Sequence, residues 1–265
     1  MGLDITGRYR YPAPNPAWLA QHVEPILDPD LPIIDPHHHI WEEPGNPYLL
    51  DKLTADLATG HRIEATVFVQ AHFGYRTDGP EELRCVGETE RVTALAEDAA
   101  RNGFATEICA GIVGYANMLL GDGVTAVLDA HKEAGKGRFR GVRHSVSRDS
   151  NFPDGIVLRP APAGLLGEAA FRAGLATVAK NGLSYDCMCY HQQLPEVTAM
   201  ARAIPDLSIV LDHYGTVLGV GPYETTRDET FAAWRRDLAE LAACPNVSIK
   251  LGGMGMIICG PTWHE

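Results

Sequence analysis

Near-continuous apolar runs alternate with helical stretches of about 10–15 residues. No glycine-rich phosphate fingerprint follows the first run, and successive runs end in histidine, arginine, glutamine or lysine. These observations predict an α/β fold with a parallel sheet covered by helices. Within that class they predict a (β/α)8 TIM barrel, because a barrel brings every C-terminal strand end to one face.

Residues 1–30 contain Pro12, Pro14, Pro16, Pro25 and Pro29 and predict an irregular N-terminal arm, with Trp18 and Leu19 packing on the body. Leu31 to Ile34 predicts a short buried strand that ends at Asp35-Pro36-His37-His38-His39. Leu49 to Gly60 reads as a short helix closed by glycine. Further strands are expected at Ala65–Gln70, Glu107–Val113, Phe139–Val146, Leu183–Tyr190, Leu207–His213 and Asn246–Leu251. Helices are expected at Glu88–Asn102, Gly123–Glu133, Glu168–Asn181, Pro195–Ala203 and, amphipathic, Thr230–Ala243. The count is seven strands in a barrel domain at 31–265, so the sequence predicts a barrel truncated before its eighth strand, weakly active and poorly stable.

Alternate side chains of an extended backbone share a face. Asp35, His37 and His39 therefore point one way and His38 the other. Two imidazoles converging at a strand end suit a borderline divalent metal, zinc above all. His191, at the end of the fifth strand, is the natural third nitrogen. His213, in Asp212-His213-Tyr214-Gly215, is read as ligating the metal, orienting a water or polarising a carbonyl, against a plain helix-capping histidine. Arg143 offers a bidentate fork for a substrate carboxylate, with an ion pair in the barrel wall as the competing reading. His144, Gln70 and Lys250 are weaker substrate-binding candidates; His72 is weaker still, and Lys250 has a buried ion pair as its alternative.

The net charge of −12 and the absence of a lysine/arginine cluster argue against a nucleic-acid partner. No apolar run reaches the length of a membrane span, and the polar N-terminus does not resemble a secretory signal. The six cysteines form no C-x-x-C pair, and the sequence suits a reducing cytoplasm. The expected partner is a small-molecule substrate, with self-association left open.

Ile34-Asp35-Pro36-His37 and His39, then Gly141-Val142-Arg143-His144, then Val210-Leu211-Asp212-His213-Tyr214-Gly215 resemble the amidohydrolase superfamily, and its amidohydrolase-2 branch most. That branch includes sugar-lactone and pyrone-dicarboxylate lactonases and, more distantly, aminocarboxymuconate-type decarboxylases. The resemblance runs over roughly residues 31–255. It implies His37 and His39 as metal ligands, His191 as the fifth-strand ligand and His213 as the histidine assisting water or substrate. An eighth-strand aspartate expected of the family lies beyond Glu265. Arg143-His144 stands where a binuclear branch carries a bridging lysine, so one divalent ion, Zn2+, is expected, with metal-free catalysis as the alternative. The implied activity is hydrolysis of a lactone or related cyclic ester. The alternatives are decarboxylation on the same scaffold and an inactive barrel acting as a binding protein.

Overall fold

The computed structural model describes residues 15–42, 47–152 and 160–260. The parts of the arm, of the 42–50 loop and of the C-terminal segment outside these ranges lie outside the described residues. The chain forms two compact units, Pro14–Ala116 with Val124–Arg143, and Asn117–Gly123 with the residues from His144.

The first unit begins with α1 (Pro16–Leu19), a single turn whose Asn15 side chain accepts from the Trp18 amide. It continues through β1 (Ile33–His38), α2 (Leu50–Leu57), β2 (Ile63–Val69), α3 (Val86–Arg101), β3 (Glu107–Gly114), α4 (Thr125–Gly135) and β4 (Phe139–Arg143). β1, β2, β3 and β4 pair in chain order, all parallel. Phe68, Val69, Ile112 and Val142 of the strands are buried, as are Val86, Val92, Ala96, Val127 and Leu128 of the helices. Parallel strands covered by helices carry apolar side chains on both faces, which is why β2 and β3 read as unbroken hydrophobic runs.

In the second unit, α5 (Ala169–Lys180), β5 (Ser184–Cys187), α6 (Leu194–Ala203), β6 (Ser208–Leu211), α7 (Arg227–Ala242) and β7 (Val247–Ile249) follow one another. β5, β6 and β7 are parallel and in register without a bulge. Seven strands are present among the described residues, each but the last followed by a helix, as the sequence predicts. No helix among the described residues is long and apolar enough to cross a membrane.

Four expectations are corrected. Trp18 and Leu19 are 62% and 58% exposed, because a four-residue turn buries no face of its own. β1 is not a buried strand that stops at the histidines: Ile34 is 62% exposed, and the strand runs on through His38. Pro36 lies in it at a register shift between Asp35 and His38, the kind of bulge where a strand tolerates a residue with no N–H. The fourth to seventh strands are shorter than their apolar runs; the fourth, for instance, ends at Arg143. Finally, α7 is only weakly amphipathic: Thr230 and Leu241 are buried, whereas Phe231 is exposed.

Candidate active site

In the first unit, the odd–even alternation of β1 separates the histidine cluster. His38 turns inward, its Nε2 2.9 Å from the Thr66 hydroxyl. His37 and His39 lie on the other side, held by different devices. The His37 amide donates to Asp35 Oδ1 at 3.0 Å, so the aspartate braces the backbone at the bulge. His39 Nδ1–H donates to the Val69 carbonyl at 2.7 Å. Burial, assisted by the Arg143 guanidinium and the His37 ring, pushes the His39 pKa down to about 3. The ring is therefore neutral at ordinary pH, its proton sits on Nδ1, and Nε2 carries a lone pair. That nitrogen is 3.1 Å from His37 Nε2, with the rings edge-to-face. Two imidazole nitrogens at this separation either share one proton or grip one cation. A backbone carbonyl fixing the far nitrogen is the usual support of a metal-binding imidazole. The donor set fits a borderline divalent ion such as zinc.

The end of β2 is the hub of this arrangement. Val69 O orients His39. The Gln70 amide is paired with Val113 O at 2.8 Å, and the Gln70 carbonyl accepts from Arg143 Nη2 at 2.5 Å. The Gln70 side chain is buried, and its Oε1 has no partner among the described residues. His72, two residues on, has a positive φ of 61° and sits 2.8 Å from the Tyr75 hydroxyl. Arg143, at the end of β4, is 9% exposed.

The second unit holds the other candidates. His144 lies one residue past β4; its Nδ1 accepts from the Met118 amide at 3.1 Å, and its ring packs on Phe171. Burial lowers its pKa to about 4. His144 thus anchors the loop before α4 through its Nδ1. His191 follows β5 at the entry to α6, with its Nδ1 accepting from the Leu218 amide at 3.3 Å and the Tyr223 ring against its own. Lys250, after β7, is placed between two buried carboxylates, 2.5 Å from Asp186 and 3.1 Å from Asp212. Its charge is already matched, which is the ion-pair alternative. His213 has φ 54°, ψ 44°, and Tyr214, Gly215 and Thr216 also have positive φ. A run of left-handed residues is costly for L-amino acids and marks a turn that its surroundings impose. Trp234 Nε1 secures it by donating to Tyr214 O at 2.8 Å.

Sequence reasoning missed Glu88. It occupies the first turn of α3, is fully buried, and accepts the Ala71 and Phe73 amides on one oxygen. The signal was present: Glu88 stands one turn before Val92 on the stripe that continues through Ala96 and Ala99, where an acidic residue has no solvent to face.

The amidohydrolase family model matches residues 34–264. An uncharacterised protein of Sinorhizobium fredii is 29% identical over 249 residues, 86% of this chain and 74% of that protein. An L-fucono-1,5-lactonase of Burkholderia ambifaria is 28% identical over 236 residues, 83% of this chain and 67% of the lactonase. Among solved structures, an amidohydrolase of Burkholderia multivorans with bound zinc is 26% identical and superposes with a TM-score of 0.61, over 83% of this chain and 69% of the other. A match of this extent makes the chain a member of the amidohydrolase family, with the α/β fold of its TIM-type barrels, and a hydrolase by class.

Proposed function

We propose that this amidohydrolase hydrolyses the ester bond of a small lactone, sugar-derived or carboxylated, at a site in which His37 and His39 hold one divalent metal ion. The observation that carries the reading is the pair of imidazole nitrogens 3.1 Å apart, one with its tautomer dictated by a backbone carbonyl. The similarity to L-fucono-1,5-lactonases supports the choice of a lactone among the ester and amide substrates open to the family. A divalent ion, when bound, supplies Lewis acidity: it polarises a carbonyl and lowers the pKa of water toward neutrality.

The protein's own contributions follow from its geometry. His39 stays neutral far below physiological pH, so protons do not compete for its Nε2. The planar guanidinium of Arg143 suits a substrate carboxylate or hydroxyl. Gln70, whose backbone carbonyl accepts from Arg143, also carries a buried side-chain oxygen. For His191 the proposed role is a metal nitrogen, and for His213 the orientation or deprotonation of the attacking water. Each is open to test by its own substitution. Lys250 is proposed as the counter-charge that steadies Asp212, the neighbour of His213, rather than as a substrate cation. The six thiols, all free, suit the cytoplasm as the site of action.

The test is a panel of sugar 1,5- and 1,4-lactones and a pyrone dicarboxylate, offered to the zinc-loaded full chain, with acid release followed by an indicator. Ring opening that falls at least about 100-fold in His37→Ala and His39→Ala supports the proposal. Activity that survives chelation assigns hydrolysis to side chains alone and removes the metal from the reading. Carbon dioxide release from an aromatic acid, with every lactone untouched, would replace hydrolysis by decarboxylation.

A further inference from the structure

Glu88 is 1% exposed. Its Oε1 accepts from Ala71 N at 2.9 Å and Phe73 N at 3.0 Å, while Oε2 accepts from none of the described residues. A buried carboxylate is costly unless its hydrogen bonds serve something. Here they fasten the segment after β2, in which His72 takes its left-handed conformation between the two bonded amides. The contact is tight: a Cβ on Gly87, the preceding residue, would lie 2.6 Å from both Arg76 N and Gly74 O. The first turn of α3 therefore touches this segment backbone to backbone, and Glu88 is aimed into it.

The fastened segment begins with the two carbonyls that set the neighbouring site. Val69 O receives the Nδ1 proton of His39, and Gln70 O receives Arg143 Nη2. A carboxylate accepts two amide protons on one oxygen more strongly than a neutral group does. The charged neighbour that offsets it is Arg143; Cys85 faces it from the residue before α3, and burial pushes the Glu88 pKa up to about 7.

We infer that Glu88 is a positioning residue: by binding the amides of Ala71 and Phe73 it holds the Val69 and Gln70 carbonyls in place, and through them it sets the tautomer of His39 and the placement of Arg143. The inference rests on the reading of His39 as a metal nitrogen and Arg143 as a substrate cation. Its effect on His39 is measurable without substrate.

The experiment compares the full chain with Glu88→Gln, Glu88→Asp and Glu88→Ala. The readouts are the imidazole 15N spectrum, which reports the protonated nitrogen, and calorimetric titration with Zn2+ alone. The unsubstituted chain is expected to show His39 protonated on Nδ1. Glu88→Gln, whose amide oxygen accepts the same two protons, is expected to keep that signature. Glu88→Ala is expected to show mixed tautomers and zinc binding weakened by about 10–100-fold, the usual cost of losing an outer partner of a metal-binding imidazole. Should Glu88→Ala fail to fold, Glu88→Asp, one methylene too short to reach both amides, decides in its place. An unchanged His39 signature and unchanged zinc affinity in the folded variant overturns the inference and reduces Glu88 to a structural group. Absence of lactone turnover by the unsubstituted chain, with the His39 signature still dependent on Glu88, removes the lactone reading and upholds the positioning role.

Discussion

His213 depends on a residue that has no side chain. Gly253 has φ 85°, and a Cβ there would sit 2.6 Å from His213 Cγ and Nδ1. The imidazole therefore packs closely against the Gly253 backbone while its own φ is left-handed. Gly253→Ala meets two penalties at once, an unfavourable φ and a collision with the ring. It is expected to lower stability by about 1–3 kcal/mol in urea unfolding. It is also expected to displace the His213 ring resonances, which a purely local strain would leave in place.

At the scale of the element, the strands of each unit end in different kinds of support. β1 presents its outer face to solvent at Ile34, whereas β2 is enclosed at Phe68. Ile34→Thr is expected to change stability by no more than about 0.5 kcal/mol, and Phe68→Ala to lower it by about 3–5 kcal/mol, both read from the urea midpoint. The ends of β5, β6 and β7 are tied by charge: Lys250 pairs with both Asp186 and Asp212, which are buried. Replacing Lys250 by methionine keeps the length of the side chain but removes the cation that both carboxylates face. The expected loss is about 3–5 kcal/mol, seen as a lower urea midpoint at neutral pH.

At the scale of the whole molecule, burial of histidines sets the acid limit of stability. His39 is pushed down to about 3, and His131 and His144 to about 4, with desolvation the leading cause each time. His131 illustrates why: it is fully buried, bonded to Thr89 and to the Tyr115 carbonyl, and stacked on Phe139. These rings bind a proton in the unfolded chain near pH 6.5 but not in the folded one, so stability is full above that pH and declines as pH falls toward 3–4. Glu88, raised to about 7, acts in the opposite sense between about pH 4.5 and 7, and three histidines outweigh one carboxylate. Urea midpoints measured from pH 8 to pH 4.5 are expected to fall steadily below pH 6.5. A flat profile would show that the rings are solvated.

Much of this was legible in the residues because it rests on local rules. The alternation of apolar runs and helices yields the parallel α/β class, since covered strands need no polar face. The spacing of His37 and His39 places them together and His38 apart from them, because a strand repeats every two residues. The exposure of Ile34 was not legible, since hydropathy says that a residue can be buried and not whether a neighbour covers it. Nor was the His39 tautomer, which is chosen by a carbonyl 30 positions away, or the pairing of Lys250 with Asp186, 64 positions away. The sequence by itself determined the order of the elements and the chemistry at the strand ends. Only the tertiary structure decided which of those side chains are neutral and which are already paired, because desolvation and hydrogen bonding depend on what the fold packs against each group.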